Sequence, residues 1–257
     1  MDPVLVQFGP LVIRWYGLMH ALTIAVGLWL AYRFGPRFGV PAAVLDRIGL
    51  WAVVAMYVGG RLGYVLSHPA EFRDPLEVFR VWHGGLASHG AILAGLAYCT
   101  VAARRAGVSV QSLFDAGAFA LPVGSFFVRF GNFMNGELYG APTTLPVGVR
   151  FPTAPDAPRH PVQLYEMALA LVILVVVWRV ARRRAFPGQV WWTALALVSL
   201  VRLGLDVLRP EYRVWGVLAT GQVAALLLLG VSLWFLWRRP TAPAASLRHR
   251  PDSGAST

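Results

Sequence analysis

The chain has 257 residues, of which 57% are hydrophobic and only 14% are charged. Soluble domains carry about 25% charged residues, so this composition argues against a soluble domain and favours a protein that crosses a membrane several times. All 23 basic residues are arginine and the net charge is +11. In a membrane protein such charge mainly sets orientation, and we expect no nucleic-acid partner.

Seven segments are apolar enough to cross a bilayer, since a spanning helix needs about 20 largely apolar residues. They are centred on residues 14–34, 46–66, 86–103, 113–133, 163–180, 189–207 and 216–237. We therefore predict an all-α polytopic membrane protein whose seven transmembrane helices form one domain over residues 1–239. Residues 240–257 are rich in Pro, Ala, Ser and Arg and are predicted to be a disordered cytoplasmic tail.

The loops between these segments alternate in charge. Those after the first, third, fifth and seventh segments carry arginines with little acidic compensation: Arg33, Arg37, Arg47, Arg104, Arg105, Arg182, Arg183, Arg184, Arg238 and Arg239. The opposite loops mix acidic and basic residues, and one of them, residues 141–161, holds six prolines. Because basic loops stay in the cytoplasm, we predict that the amino terminus lies outside and the carboxyl terminus in the cytoplasm.

Arg61 is one of four arginines within or at the edge of these apolar segments, the others being Arg14, Arg129 and Arg202. A charge at the centre of a bilayer costs about 2.5 kcal/mol or more, so it needs a partner or a ligand. Gly59 and Gly63 flank it at a spacing that lets a second helix approach closely. Two interpretations of Arg61 stay open: it satisfies backbone carbonyls between packed helices, or it binds substrate.

His89 lies at the entry into the third segment, in a glycine-containing stretch near the predicted outer face. A lone histidine is usually a satisfied core residue, but this position favours a functional one. The six histidines do not group at metal-ligand spacing, and neither a metal nor an organic cofactor is expected.

Arg129 is the most informative of these residues, because it stands in the fourth segment beside further polar groups. Asn132 follows three residues later and shares its helix face, while Glu137 lies beyond the helix-breaking pair Asn135–Gly136. The guanidinium offers a planar fork of donors that suits phosphate, which indicates a phosphate-bearing substrate. The alternative is an internal Arg129–Glu137 ion pair that closes the helix end.

Arg202 lies in the sixth segment with Asp206 four residues and Arg209 seven residues further on, all on one helix face. An Arg202–Asp206 ion pair is the structural interpretation. Such a pair would also hold the Arg202 guanidinium in place for an anion.

The stretch Arg129–Gly140 (RFGNFMNGELYG) closely resembles the signature of the prolipoprotein diacylglyceryl transferase family. Four further motifs extend the resemblance over nearly the whole chain: Trp15–Met19 (WYGLM), Gly59–Val65 (GGRLGYV), Gly85–Gly90 (GLASHG) and Arg159–Glu166 (RHPVQLYE), with Gly221–Gln222 near the end.

The resemblance implies a bacterial inner-membrane enzyme with seven spans. Its reaction passes a diacylglyceryl group from phosphatidylglycerol to the lipobox cysteine of a preprolipoprotein signal peptide, giving a thioether and glycerol phosphate. The resemblance also assigns residues. His89, Arg129 and Arg202 correspond to essential residues of the family, and Asn132, Glu137, Gly140 and Tyr16 correspond to further residues of its motifs.

The expected chemistry fits these side chains. A free cysteine thiol has a pKa of about 8.5, so a base near it helps, and histidine has the suitable pKa. Arginine stays protonated and stabilises the phosphate before and as it leaves. Whether His89 is this base or orients the lipid headgroup stays open. We take His89, Arg129 and Arg202 as catalytic, and Arg129, Asn132, Glu137, Gly140, Tyr16 and Arg61 as substrate-binding.

Four positions depart from the family pattern. Val198 stands where a tyrosine is expected and Asp206 where a glutamate is expected, while Val128 and Arg14 replace a glycine and a histidine. These departures leave room for a divergent, non-catalytic relative that binds anionic lipid or lipoprotein precursors. A transporter that uses the buried arginines is a second alternative, but it would predict symmetric halves with broken helices, and we find no such repeat.

Overall fold

A computed structural model describes residues 1–9, 11–72, 74–80, 84–209, 213–214 and 218–238. The protein is mostly helical. Its α-helices in this part of the chain are α1 (Trp15–Phe34), α2 (Ala42–Ser67), α3 (Ser88–Arg105), α4 (Val110–Gly117), α5 (Ala120–Asn135), α6 (Val162–Arg182), α7 (Gln189–Leu205) and α8 (Thr220–Arg238). The predicted tail, residues 240–257, lies outside the described residues.

Six helical segments of the described chain are long and apolar enough to cross a membrane. They are Trp15–Phe38, Ala42–Ser67, Val110–Asn135, Val162–Arg182, Gln189–Leu208 and Gly221–Arg238. The chain is therefore a polytopic membrane protein, as predicted. The predicted third span, 86–103, coincides with α3, which is a helix but is absent from these six because His89 and the pair Arg104–Arg105 lower its hydropathy.

The fourth predicted span, 113–133, is not one continuous helix. It consists of α4 and α5, which are separated at Ala118 and Phe119. Pro122 lies in the first turn of α5, where proline is tolerated, whereas a continuous helix would place it in the interior. The break lets the Phe119 ring stack on Phe34 of α1 at 4.4 Å, within the main hydrophobic core.

The mostly helical fold agrees with the prediction, but the short strands were not predicted. The described residues contain three short antiparallel hairpins, formed by β1 (Val4–Phe8) with β2 (Leu11–Arg14), β3 (Val149–Phe151) with β4 (Ala154–Arg159), and β5 (Arg213–Val214) with β6 (Leu218–Ala219). The first hairpin precedes α1, the second lies between α5 and α6, and the third lies between α7 and α8.

Helices α2 and α3 form a close pair that depends on glycine, as the spacing of Gly59 and Gly63 predicted. A Cβ at Gly59 would lie 2.6 Å from the Gly90 carbonyl oxygen, and a Cβ at Gly63 would lie 2.9 Å from the Gly90 Cα. This pair joins the rest of the bundle through a second cluster of buried residues, which contains Leu45 and Ile48 of α2 and Ala103 of α3.

The segment from Gly136 to Pro161 folds back over the end of α5. The Gly140 amide donates to the His160 carbonyl at 2.8 Å, and the Ala141 amide donates to the Leu208 carbonyl at 2.7 Å. These bonds bring the start of α6 and the end of α7 to the end of α5. Three elements that are distant in sequence thereby meet where their polar residues are concentrated.

Candidate active site

Arg129 occupies the last two turns of α5 and is largely enclosed, with 14% of its side chain exposed. Its Nε lies 2.5 Å from Oε2 of Glu166 on α6, and its Nη1 donates to Oδ1 of Asn132 at 3.2 Å. The contact with Asn132 agrees with the predicted shared helix face. Glu166 is the counter-ion, and the sequence had not singled it out.

Glu137 stands in the turn after α5 and contacts the two asparagines of that helix end. Its Oε1 accepts from Nδ2 of Asn132 at 2.8 Å and from Nδ2 of Asn135 at 3.2 Å. Asn132 therefore bridges Arg129 and Glu137. The direct Arg129–Glu137 ion pair considered as an alternative is not present among the described contacts, where Glu166 takes that position.

Arg202 and the residues that follow it complete the network from the other side. Arg202 donates through Nε to Oδ2 of Asp206 at 2.7 Å, which agrees with the predicted pair, so the shorter aspartate still reaches. Arg209 lies 3.5 Å from Oδ1 of Asp206 and 3.3 Å from Oε2 of Glu166. Through these contacts the two predicted catalytic arginines belong to one chain of charges.

The charges of this network, hereafter the arginine network, balance. It consists of Arg129, Arg202, Arg209, Glu166, Asp206 and Glu137, linked through Asn132. Asp206, Arg209 and Glu166 are buried. Removing one member of a buried pair leaves its partner uncompensated, which typically costs about 3–5 kcal/mol, so the members depend on one another.

Arg202 is the member that remains accessible, with 39% of its side chain exposed. Within the described residues its Nε is the only nitrogen that makes a hydrogen bond. The terminal nitrogens therefore offer a planar donor pair to an anion. Arg129 similarly shows no protein hydrogen bond from Nη2 in the described structure.

Gly221, at the start of α8, lies directly against the Arg202 guanidinium. A Cβ at this position would lie 2.8 Å from Nη2 and 3.2 Å from Nε of Arg202, and 3.3 Å from Oδ2 of Asp206. The Gly221–Gln222 motif thus permits α8 to pass close to the arginine.

We expect Gly221→Ala to displace Arg202 and lower activity about tenfold or more, because a guanidinium moved by even 1 Å loses its alignment. Gly230→Ala, in the same helix, is the matched control, since no atom lies within 4 Å of a Cβ built there. Steady-state rates of both purified variants test this. Equal rates for the two would show that Gly221 does not position Arg202.

Tyr16 lies in the first turn of α1, beside the arginine network. Its ring packs against Gly131 of α5, the residue before Asn132, where a Cβ would lie 3.0 Å from Cδ2 of the tyrosine. The tyrosine is 37% exposed. It is therefore placed to contact a ligand of the network.

Gly140 contributes to packing. A Cβ there would lie 2.7 Å from Cγ2 of Val162 and 2.9 Å from the Leu208 carbonyl oxygen. The atoms nearest to Gly140 belong to His160, Val162 and Leu208, which meet at the end of α5. The structure therefore gives Gly140 a role in closing the site and offers no geometry for a direct substrate contact.

Arg61 is buried and lies apart from the arginine network. Its side chain donates to the carbonyl oxygens of five residues in the loop between α2 and α3: Glu77, Val78, Arg80, Gly84 and Gly85, at 2.5–3.3 Å. This is the structural interpretation given above, although the loop that it organises leads into α3 and His89. A small cavity of about 100 Å³ adjoins it, lined by Tyr64, Glu71 and Phe72 among others.

We expect Arg61→Lys to loosen this loop, because an ammonium has three donors and cannot serve five carbonyls. Amide hydrogen exchange at residues 77–80 and 84–87 should accelerate about tenfold or more, since exchange reports local opening. Arg80→Lys, in the same loop but partly exposed and paired with Glu77, should leave it nearly unchanged. Unaltered exchange in Arg61→Lys would contradict this assignment.

His89 is the second residue of α3 and is exposed. The described contacts include no hydrogen bond or ion pair to it. Its helix packs against α2, so the structure does not bring His89 into contact with the arginine network. Arg129, Asn132, Glu137 and Arg202 are brought together, with Tyr16 beside them, whereas His89 and Arg61 are not.

The sequence reasoning missed Glu166, and it noted Arg209 without assigning it to the site. Glu166 is a lone acid in the apolar α6, the same signal that identified the arginines, and Arg209 lies on the face of Arg202 and Asp206. Val198, where a tyrosine was expected, packs against the main hydrophobic core.

The sequence profile of the family described as "Prolipoprotein diacylglyceryl transferase" matches residues 3–238. A phosphatidylglycerol–prolipoprotein diacylglyceryl transferase of Nitratidesulfovibrio vulgaris (strain Miyazaki F) is 40% identical over 95% of this chain and 97% of its own. Proteins of the same name from Solidesulfovibrio magneticus and Allorhizobium ampelinum are 38% and 34% identical, over 95% and 93% of this chain and 97% and 90% of their own.

Proposed function

The chain belongs to the prolipoprotein diacylglyceryl transferase family, and we propose that it transfers the diacylglyceryl group of phosphatidylglycerol to the cysteine thiol of prolipoproteins. It is a transferase of lipoprotein biosynthesis. The observation that supports this function most strongly is the arginine network, which fixes Arg129 and Arg202 in one charge-balanced unit while leaving guanidinium donors unused.

The phosphate of phosphatidylglycerol is the natural ligand of those donors. The terminal nitrogens of Arg202 and Nη2 of Arg129 bind its oxygens, because arginine matches phosphate geometry bidentately. The carboxylates of Asp206 and Glu166 hold each guanidinium from behind, so little reorganisation is needed as negative charge develops on the leaving phosphate. The reacting lipid thus lies at the network with Tyr16 beside it.

The covalent step balances without a cofactor. The lipobox thiol loses its proton, and its sulfur forms a bond to the glyceryl carbon. The carbon–oxygen bond to phosphate breaks, with its electron pair leaving on glycerol phosphate. A thiolate is the required nucleophile. We propose that His89 accepts the thiol proton and that the thiol approaches the lipid from the side away from the arginines. Glu137, an exposed carboxylate in contact with Asn132, orients the polar headgroup.

The membrane arrangement is part of the same proposal. The six apolar helices make the chain multi-pass, and we infer that α3 is the seventh span, with the amino terminus outside in the bacterial inner membrane. This inference rests on the loop charges. It places the arginine network and His89 toward the outer face, where the cysteine of an exported precursor emerges.

A transfer assay tests the function directly. Purified protein, phosphatidylglycerol and a lipobox peptide should give a peptide whose mass has increased by one diacylglyceryl group, together with an equal amount of glycerol phosphate. A folded protein that binds the peptide or lipid without forming the thioether would instead be the non-catalytic relative considered above.

A further inference from the structure

The turn that carries Glu137 has an unusual backbone conformation. After α5 ends, Gly136 has φ +68° and Leu138 has φ +59°. Leu138 is the one non-glycine residue with positive φ in the described chain. A leucine in the left-handed region carries a steric cost that glycine does not, so surrounding contacts must hold it there.

Three side chains from three different elements supply those contacts. Thr153 donates through Oγ1 to the carbonyl of Gly136. Gln163 of α6 donates through Nε2 to the carbonyl of Glu137 at 2.6 Å, and Arg209 donates through Nη2 to the carbonyl of Leu138 at 2.6 Å. Three consecutive carbonyls of the turn are therefore each held by a side chain that is distant in sequence.

The side chain of Gln163, like that of Thr153, makes no other hydrogen bond in the described structure. Gln163 is fully buried, and its Oε1 has no hydrogen-bond partner among the described residues. Its single described hydrogen bond is the one to the turn. Arg209, by contrast, also contacts Glu166 and Asp206.

The conformation of the turn decides where the Glu137 carboxylate lies. In the observed conformation this carboxylate accepts from Asn132, whose Oδ1 accepts from Arg129. A turn that relaxed out of the left-handed region would move the carboxylate away from Asn132. The amide would then be free to rotate, and Arg129 would lose one of its fixed contacts.

We propose that Gln163 is a positioning residue for the phosphatidylglycerol site: it locks the strained turn at Leu138 and thereby fixes Glu137, Asn132 and Arg129 before the lipid binds. This inference rests on the proposed transfer function. Gln163 itself touches no substrate, and the strain at Leu138 makes its action measurable.

The first test substitutes the strained residue itself. Leu138→Gly should retain transfer, whereas Leu138→Val should lower it, because a β-branched residue is a greater outlier at positive φ. If the leucine side chain itself contributed to activity, Leu138→Val would be more active than Leu138→Gly, because valine preserves more of that side chain. Transfer by Leu138→Val that is as fast as or faster than transfer by Leu138→Gly would overturn the proposal.

The second test combines Gln163→Met, which keeps length and removes the amide, with Leu138→Gly. Gln163→Met should lower kcat/KM for phosphatidylglycerol about tenfold, with little change in KM for the peptide, and Leu138→Gly in the same chain should recover about threefold or more. Leu138→Gly combined with Arg202→Lys is the control and should recover nothing.

The outcomes separate the proposal from its premise. If the unsubstituted protein forms no thioether, the transfer function fails. If it does so and Gln163→Met matches it, or if Leu138→Gly rescues both backgrounds equally, the positioning role alone is wrong. Size-exclusion profiles of each variant normalise the rates to folded protein, and the glycine–valine comparison at position 138 decides the matter should Gln163→Met not fold.

Discussion

Arg129→Lys is expected to lower kcat/KM for diacylglyceryl transfer about a hundredfold or more, the size of effect seen when a preorganised donor to developing charge is lost. The guanidinium contacts Glu166 through Nε and Asn132 through Nη1, which leaves Nη2 for phosphate. A lysine ammonium is a single point on a flexible stem and cannot occupy these three directions together. Steady-state kinetics with purified variants measure the loss.

The matched control for this substitution is Arg150→Lys. Arg150 lies on the β3–β4 hairpin, where it is exposed and bonds only to the Pro155 carbonyl in the described structure, so its replacement should leave transfer within about twofold, as surface changes generally do. Because lysine keeps a positive charge opposite Glu166, Arg129→Lys should still fold. Turnover in Arg129→Lys as fast as in Arg150→Lys would mean that Arg129 is only structural.

Glu166→Gln is expected to have the second large effect, on stability as well as transfer. The side chain is 4% exposed, and one oxygen, Oε2, serves both Arg129 and Arg209. A neutral amide of the same size leaves two enclosed cations with less compensation. Breaking a buried charge pair in this way costs about 3–5 kcal/mol, and transfer should fall with it because Arg129 loses its fixed partner.

Asp156→Asn provides the comparison for that measurement. Asp156 also pairs with an arginine, Arg159, but it is 63% exposed, and exposed pairs contribute about 1 kcal/mol or less. Thermal unfolding in the same detergent should show a large decrease for Glu166→Gln and almost none for Asp156→Asn. Equal unfolding midpoints would contradict a central role for Glu166.

The sequence was sufficient to locate the polar residues of the site but not their partners. Arg129 and Arg202 were identified because charge in an apolar helix demands compensation. Glu166 met the same criterion and was overlooked. Glu166 and Arg129 lie on two helices that a long loop separates in sequence. A rule based on local residue spacing cannot reveal their contact. The local pairs Arg129–Asn132 and Arg202–Asp206 were predicted, since helical periodicity alone fixes them.

The fold was predictable to a similar degree. Hydropathy located the spans, but it could not show that the fourth consists of two helices, although Pro122 marks the break. The short hairpins were missed because apolar strand residues beside a span resemble its continuation. Val4–Arg14 illustrates this, with β-branched residues on both sides of a turn at Gly9.

The central claim is that the arginine network presents the phosphate site for phosphatidylglycerol, and lipid binding by Arg202→Gln tests it most directly. This variant removes the exposed donors while Asp206 keeps its contact with Arg209, so the buried part of the network should persist. Native mass spectrometry of the full chain should show phosphatidylglycerol retained by the unsubstituted protein in preference to phosphatidylcholine, and that preference lost in Arg202→Gln. An undiminished preference for phosphatidylglycerol in a folded Arg202→Gln protein would contradict the account.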